Sequence, residues 1–186
     1  MKKIIVFSAI LLSIATFANA QVNSNNASGS AQQTVQLQLS NALEITFTGN
    51  GSANGATVAI PFTTANDYQN GVESTAQQLR IRSNKNFNIA VKTNASTFTV
   101  TNNGTTTASS MPASVLEVKV AANGTGGSIA NGFSSYKDLS NTAANLITNG
   151  TYGGNQTFSV QYKAQPGFAY PAGTYAIDVV YTATQQ

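Results

Sequence analysis

Apolar and polar residues alternate along most of this chain. The stretch TVQLQLSNALEITF, residues 34 to 47, sets Val35, Leu37, Leu39, Leu43, Ile45 and Phe47 at odd positions, with Asn41 the single break. A period of two predicts strands, and Ser40-Asn41-Ala42 divides the stretch into two strands of one phase. QLRIRSNKNFNIAV sets Leu79 and Ile81 against Arg80 and Arg82, then Phe87, Ile89 and Val91 against Asn88, Ala90 and Lys92. It predicts a hairpin around Ser83–Asn86. TFTV (Phe98, Val100), VLEVKV (Leu116, Val118, Val120), TFSVQYK (Phe158, Val160, Tyr162) and TYAIDVVYTA (Tyr175, Ile177, Val179, Tyr181) repeat the pattern. Thr57–Phe62 predicts a further strand, with Pro61 near its end, where a missing donor is tolerated. Ser135–Thr148, with Leu139, Leu146 and Ile147, fits either a short helix or a turn.

Seven Asn-Gly pairs, starting at Asn50, Asn54, Asn70, Asn103, Asn123, Asn131 and Asn149, punctuate these runs. Both residues tolerate the positive φ of tight hairpin turns. Many short strands between such turns predict an all-β, antiparallel sandwich of about eight to ten strands with Greek-key-like connections.

The two ends of the chain differ from its middle. Met1–Ala20 has Lys2 and Lys3, an apolar run from Ile4 to Phe17 and Ala18-Asn19-Ala20, which together read as a signal peptide cleaved before Gln21. Export from a bacterial cell follows, to the periplasm, the cell surface or the medium, and the released protein is not membrane-spanning. Residues 21–33, QVNSNNASGSAQQ, hold one large apolar side chain and predict a flexible leader. Residues 34–186 are read as one sandwich domain.

Charge and composition remove more functions than they suggest. The nine Lys and Arg and six Asp and Glu give +3; without Lys2 and Lys3, seven against six leaves +1. So nearly neutral a chain lacks the basic face a nucleic-acid partner needs. With no cysteine, there is neither a disulfide nor a thiol for lipid anchoring.

Histidine is also absent, which excludes Ser-His and Cys-His nucleophile pairs and imidazole or thiolate metal sites. No cofactor is expected and the chain reads as a non-enzyme. Glu44, Glu117 and Asp178 fall on outward strand positions; Asp67, Glu73 and Asp138 fall in loops, where a glycosidase-type carboxylate pair is the remaining catalytic option. Asp67 to Gly71 offers oxygen ligands, but its spacing departs from a calcium loop and an Asn-Gly turn accounts for it. Arg80, Arg82 and Lys85 form a basic strand face, with Glu117 or Asp178 as expected cross-strand partners. Tyr68, Tyr136, Tyr152 and Tyr170 lie in predicted loops and are the candidate polysaccharide platform, whereas Tyr162, Tyr175 and Tyr181 point inward.

The closing segment PAGTYAIDVVYTATQQ opens on a Pro-x-Gly turn at Pro171 and Gly173, and Gly173 is fourteenth from the end. It resembles the last strand of small secreted bacterial β-sandwich proteins of the fimbrial-subunit and spore-coat-U-like type. Gln185, where that family often has an aromatic residue, departs from it. The resemblance implies an immunoglobulin-like, pilin-like sandwich whose Gly173, Tyr175, Ile177, Val179 and Tyr181 form an assembly strand. It further implies a homopolymer, or a polymer with other surface subunits, in which Val35, Leu37 and Leu39 are donated to a neighbour by strand addition. Residues 34–40 are open to two readings, donation between molecules or pairing with the chain's own last strand. A fimbria-like or matrix subunit is the leading functional expectation, and a monomeric carbohydrate-binding adhesin is the alternative.

Overall fold

A computed structural model describes residues 29–130 and 132–186. The segment expected as a signal peptide, residues 1–20, and most of the expected leader, residues 21–33, lie outside the described residues. The chain divides between Gln38 and Leu39 into two units. In the first, the described residues 29–38 are exposed and join no helix or strand. The second unit, from Leu39 onward, carries all the regular structure.

That unit contains thirteen strands, one α-helix and one short 3-10 helix (Ala113–Val115) among the described residues: β1 (Leu43–Phe47), α1 (Ala65–Asn70), β2 (Val72–Glu73), β3 (Gln77–Ser83), β4 (Phe87–Thr93), β5 (Thr97–Asn102), β6 (Thr105–Pro112), β7 (Leu116–Gly124), β8 (Ser128–Ile129), β9 (Lys137–Asp138), β10 (Ala144–Gly150), β11 (Gly153–Ala164), β12 (Thr174–Ala176) and β13 (Val179–Gln185). Every pairing is antiparallel. The first sheet runs β1-β3-β11-β7-β9, with β2 also on β11; the second runs β13-β4-β10-β8; the third runs β12-β5-β6. The strand count exceeds the expected eight to ten because β2, β8 and β9 are strands of two residues each and a change of partner divides the closing run into β12 and β13.

Leu79 and Ile81 of β3, Val118 of β7, and Phe158 and Val160 of β11 enter the same apolar cluster as Phe87, Ile89 and Val91 of β4 and Leu146 and Ile147 of β10. The inward faces of the first two sheets therefore share one core. Burying each large side chain of this kind is worth about 1.5–3 kcal/mol.

Four local expectations are corrected. The Ser83–Asn86 link is an arch and not a hairpin, since β3 belongs to the first sheet and β4 to the second. Crossing between sheets makes the apolar faces of the two strands meet through the core, where a hairpin would set them side by side. Ser83 Oγ holds the bend, donating to the Lys85 carbonyl (2.6 Å) and accepting from the Lys85 amide (3.2 Å).

Thr57–Phe62 forms no strand; Val58, Ile60 and Phe62 pack half-buried against the core without joining a ladder. Ser135–Thr148 contains β9 and most of β10 where a helix or turn was expected. Consecutive Leu146 and Ile147 are both fully buried because the β10–β4 register slips between Asn145 and Ile147, and a bulge of this kind breaks the period of two. Residues 34–40 form no strand at all. The Asn103-Gly104 turn between β5 and β6 does use positive φ at both residues, 49° and 80°.

An open strand edge and an aromatic cleft as candidate functional sites

Val35, Leu37 and Leu39 are 78, 80 and 90% exposed, and their alternation is intact although no ladder includes them. Ser40 and Ala42 follow at one end of the second unit. Asn84 Nδ2 donates to the Ser40 carbonyl (2.8 Å), and Ala42 N–H donates to Asn84 Oδ1 (2.9 Å). Gln185 Nε2 donates to the Ala42 carbonyl (2.8 Å), so this is also the end at which β13 finishes.

Among the described residues, β13 pairs with β4 alone and β1 with β3 alone, which leaves one edge of each strand without a ladder partner. Asp178 accepts from the Asn94 amide, and Gln186 N–H donates to the Asn86 carbonyl. Antiparallel alternation then turns the N–H and C=O groups of Val179, Tyr181, Ala183 and Gln185 away from β4. These same residues face inward and are only half-buried, while Val180, Thr182 and Thr184 between them are exposed. The opposite flank ends in β8 and β9, two residues each. Short edge strands resist further pairing, so the two flanks differ in what they can accept.

The segment expected as one closing strand is two. Tyr175 lies in β12 on β5, and the chain passes to β4 at Ile177–Asp178, joining β13 with Val179 and Tyr181. Asn94 pins the switch, its Nδ2 donating to Asp178 Oδ2 (2.8 Å) and its Oδ1 accepting from the Asp178 amide (3.1 Å). At Gly173 an added Cβ would meet the Asn102 side chain and come within 2.9 Å of Val100 Cγ2. The glycine is explained by this close approach to β5.

A cleft of about 460 Å³ lies elsewhere on the surface, lined by Tyr68, Gln69, Glu117, Asp138, Gln165 and Phe168 among others. Tyr68 is on α1, whose capping box joins Thr64 and Asp67: Asp67 Oδ2 accepts from the Thr64 amide (2.7 Å) while Thr64 Oγ1 accepts from the Asp67 amide (3.3 Å). The expected Asn-Gly turn at Asp67–Gly71 is thus a capped helix. The backbone amides of Thr63 and Thr64 hold the Asp67 carboxyl below its ordinary range. Gln165 Nε2 donates to the Gln69 carbonyl (2.6 Å), tying α1 to the end of β11.

Phe168 stands at a Pro166-Gly167 turn, with Gly167 at φ 63°. Its ring stacks on Tyr68 (5.7 Å, 21°), and Tyr68 contacts Phe62 (5.3 Å). Across the cleft, Glu117 of β7 is paired in register with Asp138 of β9. Sequence reasoning missed Phe168 and this carboxylate pair. The turn-forming Pro-Gly beside an aromatic residue was the available signal.

The four loop tyrosines sit in separate surroundings, and no ring contact joins any two of them. Tyr136 lies under Lys119 Nζ (4.2 Å from the ring); removal of its hydroxyl from water, with the Glu73 carboxylate adding to it, pushes the phenol far above its usual range. Tyr152 is 63% exposed, and Tyr170 packs edge-on against Tyr175 (6.3 Å). Arg82 pairs with Glu44 (3.4 Å), and not with Glu117 or Asp178, because Glu44 is its register partner on β1. No helix among the described residues is long and apolar enough to cross a membrane.

No family model and no curated protein matches the chain. Among solved structures it is similar to a family 123 glycoside hydrolase from Clostridium perfringens, at 13% identity and a TM-score of 0.32. The match covers 77% of this chain and 25% of that one.

Proposed function

We propose that this chain is an exported, non-enzymatic structural subunit of an immunoglobulin-like, pilin-like type that assembles by donating residues 34–40 to a second copy. One observation carries the reading: an alternating apolar segment is left exposed in a chain whose last strand has a free edge and half-buried inward side chains. Seven residues, Thr34–Ser40, match the seven of β13. Docked along β13, the segment would complete a ladder through its backbone while Val35, Leu37 and Leu39 cover Val179, Tyr181 and Ala183. Each apolar side chain so covered contributes about 1.5–3 kcal/mol.

Direction matters for what is built. The arm begins at the end where β13 finishes. Antiparallel addition to a neighbour's β13 therefore brings this end of the donor to the opposite end of the acceptor. Such a head-to-tail contact is heterologous and propagates as a filament, where an isologous one would close as a dimer.

The test is analytical ultracentrifugation of residues 21–186 and of its Val35→Ser, Leu37→Ser, Leu39→Ser variant. Concentration-dependent assembly in the first and a monomer of unchanged melting temperature in the second is expected. A variant that assembles equally well, or an unaltered chain that stays monomeric when concentrated, sinks the reading.

A further inference from the structure

We propose that the cleft between the Tyr68–Phe168 ring pair and the opposed Glu117 and Asp138 carboxylates binds an uncharged saccharide. Phe168 is 71% exposed, yet it is held against Tyr68 in a stacked arrangement. Its support has several independent parts: the Pro166-Gly167 turn that presents it, the capped helix that carries Tyr68, and the Gln165–Gln69 hydrogen bond that joins the two. Binding sites of this kind put an apolar face beside a few placed polar groups, in a volume of roughly 300–1,000 Å³; the cleft is about 460 Å³.

The lining decides the ligand class. A pyranose ring offers a C–H face to an aromatic ring and hydroxyl donors at its rim. Glu117 and Asp138 are hydrogen-bond acceptors only when ionised, while Gln69 and Gln165 have amide groups that both donate and accept. Glu117 stands in register between Asp138 on β9 and Lys163 on β11, and hydroxyl donors from a sugar would satisfy carboxylate oxygens that face the cleft. Among the described residues no lysine or arginine lines the cleft, Lys163 beside Glu117 lying outside the lining, so uronic-acid and sulfated glycans would meet like charge. Neutral hexose or pentose oligomers fit these constraints. No residue of the arm or of β13 is among those that line the cleft.

The experiment is isothermal titration calorimetry of the chain with neutral gluco-, manno- and xylo-oligosaccharides, with oligogalacturonate and hyaluronan fragments as anionic comparators. At least one neutral oligomer is expected to bind and the anionic ones not. Phe168→Ala should weaken that binding tenfold or more with an unchanged melting temperature. Phe168→Trp should restore it, and Tyr152→Ala should leave it untouched. The arm variant with Ser at 35, 37 and 39 should bind the sugar as well as the unaltered chain does, which separates this site from assembly. Absence of heat with every neutral probe at millimolar concentration overturns the proposal. So does full binding in Phe168→Ala, or a change in association state as the sole effect of that substitution.

Discussion

The phenol oxygens of Tyr162 and Tyr181 lie 2.7 Å apart, joining β11 of the first sheet to β13 of the second. Tyr181 also sets its ring edge-on to Phe158 (6.2 Å) and Phe47 (6.3 Å). The last strand is therefore held by its ladder to β4 and by one polar link through the core. Tyr181→Phe keeps the ring contacts but leaves the Tyr162 hydroxyl without this partner, which is expected to cost about 1–3 kcal/mol in urea unfolding. The double variant with Tyr162→Phe should recover much of that loss, since both polar groups are then gone.

The same pair predicts an alkaline limit. Burial raises both phenols above their ordinary value of 10.0, and for Tyr181 the neighbouring Tyr162 adds to the rise. The folded state then keeps protons that the unfolded chain releases above that pH. Stability from this source is complete below pH 10 and falls as pH rises through and beyond it. Melting curves from pH 8 to 12 should show the decline, and Tyr181→Phe should make it shallower.

A synthetic peptide of residues 34–40, TVQLQLS, provides a second approach to the open edge. Added to a chain that starts at Asn41, it should raise the melting temperature in a dose-dependent way, because ligands of the native state stabilise it by mass action. A peptide with Ser at the three apolar positions should have no effect.

Asp67 links helix formation to pH. Its carboxyl is held low by the Thr63 and Thr64 amides, so its contribution is present above the ordinary carboxylate pKa and lost as pH falls through the depressed value. Asp67→Asn should melt earlier than the unaltered chain at pH 7 and coincide with it once the carboxyl is protonated. By loosening α1, it should also weaken any ligand bound over Tyr68.

At Gly150 the backbone comes close to a core side chain. An added Cβ would stand 2.5–2.9 Å from three ring carbons of Phe87, a fully buried side chain. Gly150→Ala is expected to destabilise by about 1–3 kcal/mol through overpacking. Chemical denaturation of the double variant with Phe87→Leu should show positive coupling between the two sites.

How much of this was legible beforehand differs from element to element. The alternation at Leu79, Ile81, Phe87, Ile89 and Val91 marked inward faces correctly, and all five are buried. It could not say which sheet each strand joins, so the arch at Ser83–Asn86 read as a hairpin. Leu146 and Ile147 lost their signal to a bulge, and Arg82 found its partner through a register that no local pattern encodes. Phe168 and Tyr68 are 100 positions apart, and Glu117 and Asp138 belong to strands whose pairing is long-range.

The sequence by itself determined the strand-forming phase, the inward side chains, the exclusion of histidine- and cysteine-based chemistry, and the apolar alternation of residues 34–40. These follow from side-chain type and spacing, which are local. The tertiary structure alone decided that β13 has one ladder partner among the described residues, that the opposite flank ends in two-residue strands, and that an aromatic pair lines one cleft with two carboxylates. Those relations depend on which distant backbone groups satisfy one another, and that choice is made only when all the strands compete for partners in the folded chain.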